Sequence, residues 1–152
     1  MAVKIGAFQI QSIGTVVAVY FLIVLGGLVA STGSGLACPD WPLCQGQLIP
    51  NLTPNVLIEF THRLWTIVAT AFVVTTMFFA WKKFGWHKVT AFSALTLFLL
   101  FDQVILGMLT VSSGTQPIVV TAHLALATLV FASALTGSII SIAYTSKESN
   151  VR

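Results

Sequence analysis

Four long apolar runs dominate the chain, each bounded by Gly, Pro, Ser or charge: Ser12 to Ala30, Leu57 to Trp81, Val89 to Val111 and Ile118 to Tyr144. A helix needs roughly 20 mostly apolar residues to cross about 30 Å of hydrocarbon, and each run reaches that length. The pattern predicts an all-α fold, an integral membrane four-helix bundle, in a single domain over residues 1–152. No stretch is left over for a separate soluble unit.

The runs also read as one helical hairpin used twice. The first ends Leu25-Gly26-Gly27-Leu28-Val29 with Ser34-Gly35 soon after; the third ends Leu106-Gly107-Met108-Leu109-Thr110-Val111 with Ser113-Gly114 soon after. A proline-bearing connection follows each, and then a helix with an early histidine, His62 or His123. Parallel repeats of this kind recur in membrane folds.

Composition sharpens the picture. Of the 152 residues 57% are hydrophobic and 7% charged, where soluble domains carry about 25% charged residues; mean hydropathy is +0.96. The net charge of +3 forms no basic stripe, which excludes a nucleic-acid partner; the lipid bilayer is the partner expected instead. Lys4, Lys82, Lys83, Lys88, Lys147 and Arg152 all lie before span one, between spans two and three, or after span four. The positive-inside rule therefore places both termini in the cytoplasm of a multi-pass cell-membrane protein and turns 31–54 and 112–117 outward. The first run exceeds the apolar core of about 7–15 residues usual for a signal peptide. Gly35-Leu36-Ala37-Cys38 faintly resembles a lipoprotein cleavage box, but the reading adopted keeps span one in place.

Small residues at helical spacing mark inward faces: His62, Thr66, Ala69 and Val73 on span two, and His123, Ala127, Ala134, Ser138 and Ser141 on span four. Such stripes let helices approach closely in lipid. Proline suits a helix start, so Pro54 and Pro117 place His62 and His123 eight and six residues in, roughly 9–12 Å deep at 1.5 Å per residue. Both rings then lie in one layer.

Ionisable residues inside a span are costly and point to function; here they are Glu59, His62, Asp102 and His123. In an up-down bundle spans two and four stand on a diagonal of roughly 14 Å. A flat macrocycle with one imidazole from each side fills that gap, and haem iron takes His axially. The competing reading gives each His a hydrogen bond to a neighbouring helix. Glu59, three residues before His62, shares its face; it is either a proton-exchanging group of the site or a partner for Arg63. Arg63 suits a haem propionate or serves as an interfacial anchor. His87, among lysines, reads as interfacial. Asp102 and Gln103 either hydrogen-bond within the bundle or line a proton path. Cys38 and Cys44, with Pro39, Asp40, Trp41, Pro42 and Leu43 between them, are expected to pair outside the membrane, as a structural staple or as a reducible redox pair.

With these residues in place, the chain resembles the haem A synthase family of cytochrome oxidase assembly proteins. The most specific matches are Ser34-Gly35-Leu36-Ala37-Cys38-Pro39-Asp40-Trp41-Pro42-Leu43-Cys44 and the Glu-x-x-His-Arg run from Glu59 to Arg63. Gln103-x-x-Leu106-Gly107-x-x-Thr110-Val111 and Thr121-Ala122-His123 support them. The resemblance implies oxidation of a haem O ring methyl to a formyl group, giving haem A for terminal oxidases. It implies His62 and His123 as axial ligands of haem iron (haem b, haem O or haem A), Glu59 as the catalytic carboxylate, and Cys38 and Cys44 as the outer cysteine pair. Partners implied are the haem O substrate, haem O synthase and the terminal oxidase.

Typical members carry eight spans in two four-helix halves, and this chain matches the first, substrate-binding half. A homodimer would restore eight spans. Two rivals remain: a non-catalytic bis-His haem carrier or b-type electron-transfer protein, and a four-span thiol oxidase passing electrons to quinone, for which a second cysteine pair would be expected.

Overall fold

The structure, a computed structural model, describes residues 5–151. Helix α1 spans Ala7–Ser31, α2 Pro54–Phe84, α3 Lys88–Ser112 and α4 Pro117–Val151, with a short 3-10 turn at Ser34–Leu36. All four helices are long and apolar enough to cross a membrane, so the fold is the helical membrane bundle that the apolar pattern predicts. Lys4 and Arg152, two of the cations that bear on orientation, lie outside the described residues.

Helix α1 packs on α2 and α4, and α3 packs on the same two, leaving α2 and α4 on a diagonal. Residues 32–53 and 113–116 connect helices at one end, here the loop end; residues 85–87 connect α2 to α3 at the other. Pro54 and Pro117 each open a helix, where a missing N–H costs nothing. Lys82 and Lys83 fall in the last turn of α2, where cations complement the helix dipole. The helices outrun their apolar runs because polar residues near their ends are satisfied internally. Gln9 is fully buried; its amide donates to Thr145 Oγ1 at 2.8 Å and to the Ser141 carbonyl, and its Oε1 accepts from the Gly6 N–H.

The repeat is explicit in the backbone. Thr32 N–H donates to the Leu28 carbonyl and Gly33 N–H to that of Ala30; Ser113 donates to Leu109 and Gly114 to Val111 in the same way. Gly33 and Gly114 both take positive φ, +66° and +69°, which glycine adopts without steric cost. Gly33 is therefore the mate of Gly114, a two-residue correction to the Ser34-Gly35 pairing read from sequence.

Side-chain chemistry changes along the bundle axis. Near mid-span Val19, Val73, Leu100 and Val130 form an apolar plug, one from each helix. Beyond it, away from the loop end, hydroxyls bind the helices together. Thr15 Oγ1 meets Thr76 Oγ1 at 2.6 Å, Thr96 meets Ser133 at 2.9 Å, and Ser12 meets Ser138 at 3.1 Å. Each such interhelical bond is worth about 0.6 kcal/mol in a membrane. They surround a cavity of about 10 Å³, close to the space one water needs. Ala69, Ala80 and Ser141, all fully buried, let the helices approach.

Toward the loop end the packing loosens. Ala69, Val73, Val130 and Ala134 are buried, but Thr66 and Ala127, one turn nearer the loops on the same faces, are only half-buried. The residues facing across the bundle are thus less buried on the loop side of the plug.

Candidate functional site

His62 and His123 stand on the loop side of the plug, one on each diagonal helix, and both are half-buried. Each ring lies against a glycine of its own hairpin. A Cβ on Gly26 would stand 3.2 Å from His62 Cε1, and a Cβ on Gly107 would stand 3.2 Å from His123 Cε1. The repeat therefore builds the same imidazole-on-glycine seat twice. In each ring Nδ1 is buried with no hydrogen-bond partner among the described residues. Hydrogen bonds to adjacent helices do not account for these nitrogens.

The two seats differ at one position. Four residues before Gly107, Gln103 is 8% exposed, and its Nε2 lies 3.3 Å from His123 Nε2; its Oε1 is buried without a partner. Four residues before Gly26 stands Leu22, also buried. The sequence reading offered Gln103 a hydrogen bond within the bundle or a place on a proton path, and the four-residue step to Gly107 was the signal that tied it to His123.

The first connection forms a cap. Cys38 and Cys44 are joined by a disulfide and are 0% and 2% exposed. Cys44 and Gln47 exchange backbone hydrogen bonds of 3.1 Å. The Asp40 carboxylate accepts from the N–H groups of Gln45 and Gly46, each at 2.7 Å. These bonds, that from Gly46 foremost, hold its carboxyl below the ordinary value of 3.8.

Arg63 ties the cap to α2. Its Nη1 donates to the carbonyls of Asp40 and Leu43, its Nη2 to that of Cys38, and its Nε to Glu59 Oε1, all at 2.7 Å. Four of the five guanidinium N–H groups are thereby used, so the two-pronged pairing with a haem propionate expected from sequence is not open while the cap is held. Glu59, 4% exposed, is the ion-pair partner that one of its readings expected. No hydrogen bond reaches its Oε2 among the described residues.

Asp102 is half-buried and makes no hydrogen bond or ion pair among the described residues, which removes its reading as an internal hydrogen-bond partner. His87 caps α3, accepting the Val89 N–H at Nδ1, and lies against Phe84 and Tyr144.

Comparison with known proteins bears on this arrangement. A model of the COX15-CtaA cytochrome oxidase assembly proteins matches residues 9–57 and 53–150. The chain belongs to this family. It is similar to the haem A synthases of Bacillus pumilus (33% identical over 132 residues, 85% of this chain and 43% of that protein) and Lysinibacillus sphaericus (39% over 123 residues, 78% and 40%). That of Geobacillus kaustophilus is 36% identical over 124 residues, covering 80% of this chain and 39% of that protein. The chain thus spans about two fifths of the length of these relatives. Its disulfide cap, Glu59–Arg63 pair and histidine seats all fall within the matched residues.

Proposed function

We propose that this chain binds haem between His62 and His123 and acts in haem A formation for terminal oxidase assembly, oxidising a ring methyl of haem O to a formyl group. The observation that carries the reading is the pair of imidazoles on diagonal helices, each lying against a glycine of its own hairpin. Two nitrogen donors alone make a poor bare-metal site, and no cluster of three or more His, Cys, Asp or Glu occurs among the described residues. Two donors do suit an iron already ringed by a macrocycle. When bound, haem supplies both the iron redox centre and the methyl that is oxidised.

The chain's own residues supply the rest. His62 and His123 orient the macrocycle from the two sides. Glu59, on the face of His62, would hold at Oε2 a proton released as the methyl is oxidised, while Arg63 neutralises the charge that a carboxylate in hydrocarbon would otherwise carry alone. The disulfide cap closes the loop end. The apolar plug of Val19, Val73, Leu100 and Val130 bars water from the opposite side, so protons leave toward the loops. The balance is R–CH3 + H2O → R–CHO + 4 H+ + 4 e−: a water entering from the loop end would supply the formyl oxygen, and a dissociable two-electron acceptor of the quinone class would take the electrons in two rounds. By the positive-inside rule the cap faces outward, and two copies of the chain would pair as a homodimer.

Glu59→Gln tests the catalytic step. In cells supplying haem O and shown to hold an electron acceptor, the variant is expected to retain haem and to lose haem A. Unchanged haem A would reduce Glu59 to a structural partner of Arg63. Haem retention without haem A in the wild type would favour the non-catalytic carrier.

A further inference from the structure

The two histidine seats match in backbone, depth and glycine contact, yet one faces a buried amide. Gln103 Nε2 reaches His123 Nε2 at 3.3 Å, whereas Leu22 holds the corresponding place on α1, four residues before Gly26. With its amide nitrogen turned toward the ring, Gln103 donates to His123 Nε2 in the tautomer that is protonated at Nδ1. The nitrogen that accepts from Gln103 carries the lone pair through which His123 would bind iron. Amide and iron compete for it. His62 has no such competitor among its described hydrogen bonds.

We propose that Gln103 is a positioning residue that makes His123 the exchangeable axial ligand and leaves His62 the permanent one. The proposal rests on the haem reading above and adds an asymmetry that neither the repeat nor the ligand set requires. With haem held, an external ligand would take the place of His123, one bond to iron being exchanged for another. The freed Nε2 is received by the Gln103 N–H, and no electron is transferred. A buried imidazole released without that amide would be left unsatisfied. Gln103 therefore favours the released state, and it opens coordination on the α3–α4 side only.

Carbon monoxide binding to the dithionite-reduced, haem-loaded full chain reads this directly, because a six-coordinate bis-His haem binds the gas only after one imidazole leaves. Gln103→Leu, which copies the Leu22 side, is expected to slow binding roughly fivefold, the factor given by one net hydrogen bond. Leu22→Gln, which places an amide on the other seat, is expected to speed it and keeps the test decisive should Gln103→Leu fail to fold. Optical spectra should show both variants low-spin before the gas is added. Carbon monoxide rates unchanged in both variants, with haem bound and low-spin, would overturn the assignment of Gln103 while leaving the haem reading intact. A purified wild type that takes up no haem would overturn both.

Discussion

Arg63 donates through Nη2 to the carbonyl oxygen of Cys38 at 2.7 Å, fastening a transmembrane helix to a disulfide twenty-five residues earlier in the chain. The same guanidinium holds the carbonyls of Asp40 and Leu43 and the carboxylate of Glu59. One side chain thus joins the cap, the carboxylate and, through its neighbour His62, the imidazole seat. Cap and site form a single unit, which gives the cysteine pair a structural role whatever its redox chemistry.

Replacing Arg63 should break that unit. Arg63→Gln leaves Glu59 buried without its cation, a class of change that costs about 3–5 kcal/mol; partial exposure of the arginine side chain, 14%, sets the expectation at the lower end. Thermal unfolding in detergent should fall accordingly, and a phosphine reductant should reach the Cys38–Cys44 bond faster. Arg63→Lys should rescue little, since one ammonium cannot reproduce the fork that spans three carbonyls and a carboxylate.

Glycine contacts give a sharper test of the seats. Gly26→Val should push His62 off its position and lower haem retention, because even a Cβ there meets the ring at 3.2 Å. Gly27→Ala, one residue on, meets nothing within 4 Å and should be neutral or stabilising by up to about 1 kcal/mol. Gly107→Val should mirror Gly26→Val through His123. Haem content per protein after purification separates the three variants.

The cap should also respond to acid. The Asp40 carboxyl sits below its ordinary 3.8 because Gly46 and Gln45 N–H groups stabilise the charged form. Its contribution to cap stability is therefore complete above pH 3.8 and is lost as pH falls through the lower, folded value. Reduction of the disulfide by a phosphine, which works in acid, should accelerate in that window. Asp40→Asn should be reduced faster at neutral pH and show no further acceleration on acidification.

Much of this was legible in the residues. Apolar run length alone marks four spans, and the depth of His62 and His123 below two helix-starting prolines marks the candidate site. The helix ends were less legible, because a hydropathy pattern treats Gln9 as the outside of a span when it is fully buried on Ser141 and Thr145. The partners of Arg63 were hidden for a different reason. Backbone carbonyls of an irregular loop leave no mark in the side-chain sequence, so Arg63 showed only its charge and its place beside His62. Gln103 lay inside a recognised motif, but which group its amide meets depends on the rotation of α3 against α4.

The central claim, that the two glycine-seated histidines hold haem, is tested most directly by optical and electron paramagnetic resonance spectra of the purified wild type, His62→Ala and His123→Ala proteins. The account predicts six-coordinate low-spin haem in the wild type, and haem loss or a five-coordinate spectrum in each variant. Full low-spin spectra with undiminished haem in both variants would contradict it.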